Sequence, residues 1–224
     1  YAGTAYTFST QSSINKLWVW GSNSSGALGQ NQAPAQLAAV SSPVQIPGNT
    51  WVNPPNGYVG PSLAAQYAIK EDGTLWSWGY NGQGNLALND NVKRSSPAQV
   101  PGTTWSTVVS TAYASLATKT DGTLWGMGYN ANGTLGQNNT TAYSSPKQIP
   151  GTTWGTTVGK LSGGFQHGLA IKTDGTLWSW GLNEQGQLGV NNRTHYSSPV
   201  QIPGTTWAKG YPGEDQGYAS RTDG

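Results

Sequence analysis

There is no cysteine in this 224-residue chain, which removes both a disulfide framework and a thiolate metal site. Cellular compartment stays open on that ground. Charge is almost as scarce. Only 9% of residues carry it, eleven Lys plus Arg against nine Asp plus Glu, for a formal net of +2. A nucleic-acid-binding face needs clustered basic residues, and Lys93-Arg94 is the only basic doublet, in a loop before Ser95-Ser96 where solvation accounts for it. No apolar run approaches the ~18 residues that would suggest a membrane-spanning helix. No signal peptide is visible at the N-terminus.

Residues that carry catalysis are also few. The two His, His167 and His195, stand 28 residues apart, one at a strand entrance and one in a variable loop, and both read as hydrogen-bonded polar residues. The turn residues Asp72, Asp121, Asp174 and Asp223 are accounted for by the turns themselves, and Glu214-Asp215 reads as a solvated pair on a terminal loop. No Gly-x-Ser-x-Gly elbow, phosphate loop or His-x-x-x-His spacing occurs. The Asn-rich loops lack the spaced carboxylates that Ca²⁺ prefers. The chain therefore reads as a non-enzyme with no cofactor and no metal.

What the chain does have is repetition. Leu-Trp recurs at Leu17-Trp18, Leu75-Trp76, Leu124-Trp125 and Leu177-Trp178, in steps of 58, 49 and 53 residues. A Ser-Ser-Pro landmark at Pro43, Pro97, Pro146 and Pro199 steps by 54, 49 and 53, so whole structural units are duplicated. The extra residues of the first unit fall between Trp51 and Trp76. A period near fifty, rich in strand and turn residues, points to propeller blades rather than helical solenoids. Thirty-two Gly and thirteen Pro punctuate the chain too often for long helices, and the composition is that of an all-β protein. With two Phe against eleven Trp, most of the large apolar volume of each blade comes from Trp, and losing one repeat Trp should cost roughly 3–5 kcal/mol.

Within a unit, Gly168–Thr173 runs into Asp174-Gly175 and out along Thr176–Trp180, two strands about an Asp-Gly turn. Asp-Gly tolerates positive φ at both central positions and favours a tight two-residue turn. The hairpin recurs at Asp72-Gly73 and Asp121-Gly122. Trp178 and Trp180, like Trp76 and Trp78, share one strand face and are expected to pack between neighbouring blades. Next comes Asn-x-x-Gly-x-Leu-Gly, with Ala87 in place of the last Gly in the second unit. The Ser-Ser-Pro segment then returns as an outer strand, because proline lacks the donor a central ladder needs. Four short strands make a blade, and the units fall at about 1–51, 52–105, 106–154, 155–207 and, begun only, 208–224.

The run Leu169–Gly189, Leu-Ala-Ile-Lys-Thr-Asp-Gly-Thr-Leu-Trp-Ser-Trp-Gly-x-Asn-x-x-Gly-Gln-Leu-Gly, followed by Ser-Ser-Pro-Val-Gln-Ile-Pro-Gly at 197–204, resembles the repeat of the RCC1-like family, named for a regulator of chromosome condensation. The resemblance covers nearly the whole chain and implies a β-propeller, usually closed with seven blades. Its phrasing is similar to the RCC1-like repeats of bacteria and their viruses. The family's His before the Leu-Ala strand is present only at His167, with Ala65 and Ala114 in the equivalent places, so no role attaches to it. Gln216–Gly224 matches the first half of the hairpin, and Ala5–Ser9 supplies a partner for Leu17–Trp20. Five incoming strands thus face four outgoing ones. The chain is expected to be a segment of a longer protein, or to have a missing edge supplied by a neighbouring subunit.

A binding surface belongs where blades differ on a fixed frame. The residue before the repeated Ser-Ser-Pro is Val40, Arg94, Tyr143 or Tyr196, and Tyr80 and Tyr129 precede the Asn of the Gly-rich loop. Aromatic side chains there can stack on sugars or anchor a protein. Two function classes fit. The first is a structural and adhesive module of a large particle such as a bacteriophage virion, bound to other subunits and touching a host surface glycan or protein. The second is a secreted binder or inhibitor of a protein target. A nucleotide-exchange role is poorly served by the missing basic face.

Overall fold

The computed structural model of the chain describes residues 16–52 and 65–223. Among these residues, sixteen strands fall into five antiparallel sheets arranged in chain order. Sheet I holds β1 (Trp18–Ser22) and β2 (Ala39–Gln45). Sheet II holds β3 (Trp51–Val52), β4 (Ala65–Lys70), β5 (Leu75–Gly79) and β6 (Arg94–Gln99). Sheet III is β7 (Trp105–Ser110), β8 (Ala114–Lys119), β9 (Leu124–Gly128) and β10 (Tyr143–Ile149). Sheet IV is β11 (Leu161–Gly163), β12 (His167–Ile171), β13 (Leu177–Gly181) and β14 (Tyr196–Ile202), and sheet V is β15 (Trp207–Pro212) with β16 (Gly217–Arg221). Among the described residues, then, three blades have four strands and two have two. Ala5–Ser9, the expected partner of β1, lies outside the described residues.

Sequential strands pair as a meander within each four-stranded sheet, and the Ser-Ser-Pro strands β6, β10 and β14 occupy the expected sheet edge. The unit limits shift by one landmark. Trp51, Trp105 and Trp207, expected to close their units, open the next sheet, and Trp154 bridges Lys172 of sheet IV. Physically, the (Ile/Val)-Pro-Gly turn ends the outer strand, and the Trp three residues after its Gly is already paired with the second strand of the following blade.

The hairpins also differ from expectation. Between β4 and β5 the Gly73 N–H donates to the Lys70 carbonyl at 2.9 Å and the Lys70 N–H to the Thr74 carbonyl at 2.9 Å. The loop therefore has three residues, and only Gly73 has positive φ, at 75°. This is the three-residue hairpin with a glycine bulge, not a two-residue turn. The Asp is committed elsewhere. Its carboxylate accepts from the Thr74 N–H (2.9 Å) and hydroxyl (2.6 Å), and that hydroxyl accepts from the Trp76 indole at 2.9 Å. Asp121-Thr123-Trp125 and Asp174-Thr176-Trp178 repeat the relay. Bonds from the Thr hydroxyls hold all three carboxyls below the usual carboxylate range.

The core consists of the seams between sheets. From sheet II come Ile69, Leu75 and Val100, which meet Trp105, Ala117 and Met127 of sheet III. Leu124 and Ile149 of sheet III meet Trp154, Trp178 and Trp180 of sheet IV, and Ile46 of sheet I meets Trp51, Trp76 and Trp78 of sheet II. The Trp pairs thus pack between blades, as their shared face requires. Trp78 donates its indole N–H to the Ala27 carbonyl of the preceding sheet at 3.0 Å, and Trp180 donates to that of Thr134 at 2.7 Å. A Lys stacks over each outer Trp pair. Lys70 lies 5.0 and 4.1 Å from the Trp51 and Trp76 ring centres, and Lys119 and Lys172 do the same in sheets III and IV. Each such contact contributes about 0.5–1 kcal/mol.

Candidate interaction face

The loops that leave one end of the sheets are built on a buried asparagine. Asn130 is fully buried, its carbonyl oxygen accepts from the Leu135 N–H at 2.8 Å, and its amide donates to the carbonyls of Asn139 (3.0 Å) and Thr141 (2.9 Å). Asn81 and Asn183 make the same three bonds, and Asn23 makes them with a longer reach, to Gln32 and Leu37. A single side chain thereby closes each nine-to-fourteen-residue excursion. Leu28, Leu86, Leu135 and Leu188 plug the core beneath.

Three of the expected site residues serve this frame. Arg94 forms a 2.6 Å ion pair with Asp90, whose carbonyl Asn81 holds. The Val92 N–H and, secondarily, Arg94 keep the Asp90 carboxyl below its usual range. In the next two sheets, the Tyr143 and Tyr196 hydroxyls accept from Asn139 (3.2 Å) and Asn192 (3.0 Å), the equivalents of Asp90. Position 94 and its counterparts vary in type because several side chains can brace the same loop residue. Tyr80 stands apart, with the Lys93 ammonium 5.6 Å from its ring centre.

Tyr129 is different. Its ring meets Tyr113 edge-on at 5.7 Å, and Tyr113 meets Phe165 edge-on at 5.9 Å. All three are partly exposed. Tyr113 lies in the β7–β8 turn, Tyr129 opens the loop after β9, and Phe165 lies in the β11–β12 turn, so sheets III and IV both contribute. The backbone fixes the spacing. The Tyr113 carbonyl accepts from the Tyr129 N–H (3.0 Å) and the Asn85 amide (2.6 Å), and the Phe165 carbonyl accepts from the Ala112 N–H (2.8 Å). Asn132 and Gln166 bond side chain to side chain beside the rings. Tyr113 and Phe165 escaped sequence reasoning. Each lies outside the repeated landmarks, and the contact between them joins turns some fifty residues apart.

The histidines divide. His195 Nδ1 accepts from the Asn183 N–H at 3.0 Å, as expected of a hydrogen-bonded polar residue. His167 departs from that expectation. It is fully buried, neither ring nitrogen has a partner among the described residues, and burial lowers its pKa to about 4 against a weaker opposing pull from Asp215. Among the described residues no three His, Asp or Glu converge as metal ligands. No helix among them is long and apolar enough to cross a membrane.

The model of the regulator of chromosome condensation (RCC1) repeat matches residues 72–116, 121–171 and 174–208, and a second model of that repeat matches 160–187. The chain is 30% identical over 193 residues to the ultraviolet-B receptor UVR8 of Arabidopsis thaliana, covering 82% of this chain and 41% of the receptor. It is 30% identical over 198 residues to human protein RCC2, covering 84% of this chain and 28% of that protein. The chain thus spans less than half the length of either relative. Both are eukaryotic, so the expected bacterial or viral character of the repeats finds no support in them. In three dimensions it is similar to yeast RCC1 (Prp20) in its structure bound to Kap60, with a TM-score of 0.74 at 20% identity, covering 100% of this chain and 57% of that one. Human WBSCR16 follows with a TM-score of 0.73 at 18% identity, covering 94% and 54%. At these identities the likeness shows the β-propeller fold.

Proposed function

This chain belongs to the regulator of chromosome condensation (RCC1) repeat family, and we propose that it is a protein-binding propeller module that acts by recognition rather than catalysis. The observation that carries this reading is the Tyr113–Tyr129–Phe165 cluster, which two adjacent blades present at one end of a rigid frame. Aromatic anchors in a rigid setting lose little conformational freedom on binding and dominate interface energetics. A binding role is further supported by the hairpin carboxylates, each already committed to a Thr hydroxyl. One structural relative, yeast RCC1 (Prp20), is described through protein partners in two structures, one bound to Kap60 and one reported with its binding to Gsp1p and histones.

The test is photo-crosslinking in native-source extract, with a photoreactive residue at Gln166 beside the cluster. A discrete protein adduct is expected, lost on Tyr113→Ala plus Phe165→Ala and retained on Tyr196→Ala. An adduct indifferent to the double substitution refutes the assignment. The finer reading, a propeller on a virion or other large particle that touches host glycan or protein, draws support from the 9% charged composition alone. Its alternative is a secreted binder of a soluble target. Sedimentation of native material separates them, because a particle protein travels with megadalton mass and a secreted binder does not.

A further inference from the structure

At the end of the sheets that bears the aromatic cluster, the turns 111–114, 164–167 and 213–216 hold one another through the backbone. The Ala112 N–H donates to the Phe165 carbonyl at 2.8 Å, and the Phe165 N–H donates to the Gly213 carbonyl at 3.3 Å. A Cβ built on Gly164 would stand 2.6 Å from His167 Nε2 and 2.7 Å from the Gly213 carbonyl oxygen, so the third turn is pressed tightly onto sheet IV. The strand registers make Ala112, Phe165 and Glu214 one position of this frame, and Tyr113, Gln166 and Asp215 the next. The aromatic cluster therefore runs directly into a carboxylate pair. On its flank the Gln166 carbonyl accepts from the Leu182 N–H at 2.9 Å, which brings in Glu184 two residues on.

Charge in these segments has one sign. The three turns and the loop starts 80–84, 129–133 and 182–186 contain Glu184, Glu214 and Asp215 and no Lys or Arg. All three acids are exposed. Phe165 stays partly exposed although the sheet V turn is bonded to it, so this turn position presents its side chain even with a following sheet in place, and Glu214 is its equivalent. The rings are also unpaired with charge. Elsewhere the chain supplies its own cations, with Lys93 5.6 Å from the Tyr80 ring centre, Lys147 5.4 Å from that of Tyr143 and Arg221 4.5 Å from that of Trp207. Among the described residues none stands over Tyr113, Tyr129 or Phe165.

We propose that this site takes a basic segment of the partner protein, with one Arg or Lys side chain on the Tyr113–Tyr129–Phe165 rings and another within reach of Glu214 and Asp215. The inference rests on the protein-binding reading above and adds the chemistry of the partner. A ring face attracts a cation through its quadrupole, and the carboxylates supply the complementary charge that steers a basic segment in and turns an acidic one away. A neutral proline-rich segment would dock on aromatic rings as well, but it would make no use of the acids.

Fluorescence anisotropy of the 1–224 chain with labelled oligoarginine, oligoproline and oligoglutamate peptides of equal length tests this. Oligoarginine is expected to bind tightest, and less tightly as salt is raised. Glu214→Gln plus Asp215→Asn should weaken it about fivefold, and Tyr113→Leu plus Phe165→Leu to a like degree. Glu71→Gln, which removes an exposed acid in the β4–β5 hairpin at the other end of the sheets, should leave it unchanged. Unchanged urea midpoints verify that the acid variants fold. Oligoarginine binding no tighter than oligoproline overturns the proposal, and so does oligoarginine binding indifferent to the loss of Glu214 and Asp215. The protein-binding reading is judged separately by the Gln166 crosslink. An adduct lost with the ring substitutions but retained with the acid substitutions keeps that reading and removes the basic partner.

Discussion

The junction between sheets II and III departs from its neighbours at three positions at once, and that coincidence can be tested as a coupling. Where Trp78 and Trp180 donate to the carbonyls of Ala27 and Thr134, sheet III has Met127, which has no donor. The equivalent Asn85 carbonyl accepts instead from the Tyr67 hydroxyl, where sheets III and IV have Leu116 and Leu169. Ala87 replaces the glycine that lies against the indole elsewhere, and it keeps that glycine's left-handed backbone at φ 58°. Met127→Trp alone brings an indole onto the Ala87 methyl and into competition with Tyr67, an overpacking cost of about 1–3 kcal/mol. For Ala87→Gly alone, relief of about 1 kcal/mol of left-handed strain is offset by a lost methyl of about 0.8 kcal/mol. The greater chain entropy of glycine adds a further cost of about 0.5–1 kcal/mol. The net is close to zero or slightly destabilising. Tyr67→Leu alone strands the Asn85 carbonyl, at about 1–3 kcal/mol. The triple variant recreates the Leu116, Gly136 and Trp180 set of the junction between sheets III and IV and should recover most of these losses, for a coupling of at least about 1 kcal/mol. Urea unfolding of all single and multiple variants measures it, with hydrogen exchange on β8 and β9 localising the change. Additivity within about 0.5 kcal/mol would refute the compensated-set explanation.

Asn130→Ala leaves the Leu135 N–H and the Asn139 and Thr141 carbonyls without their partner and should destabilise by roughly 3 kcal/mol in urea unfolding. Gly133→Ala drives a Cβ onto Ser197 and should unfasten sheet III from sheet IV, whereas Gly186→Ala meets no atom and should cost only about 1 kcal/mol of backbone strain. Equal shifts in midpoint temperature would contradict the stitched-junction geometry. His167 binds its proton less readily folded than unfolded, because burial lowers its pKa to about 4 from the ordinary 6.5. Its contribution is whole above pH 6.5 and is lost as pH falls toward 4, a decline of about 3 kcal/mol. His167→Gln should flatten stability across that window, and an unchanged slope would place the pH dependence elsewhere.

Legibility tracked the distance over which each feature is made. The hairpins, the outer Pro strands and the inter-blade role of the Trp pairs were readable, because turn chemistry and the two-residue strand period act within a few residues. The loop length at Asp72-Gly73 was misjudged, since the pair also fits a two-residue turn and the Asp is drawn off by Thr74. Of the aromatic cluster only Tyr129 was visible, as a variable position in a repeated frame. Arg94, Tyr143 and Tyr196 varied equally, yet they brace loops.

Repetition alone dictated an all-β propeller, because a unit that cannot bury its own Trp face must stack on a copy of itself. The division of that repeat into sheets, the assignment of Trp51, Trp105, Trp154 and Trp207 to the blade that follows, and the joining of Tyr67, Ala87 and Met127 across one seam needed the tertiary structure. Those contacts link residues from 14 to 60 positions apart, and packing against a neighbouring blade leaves no local pattern in either segment.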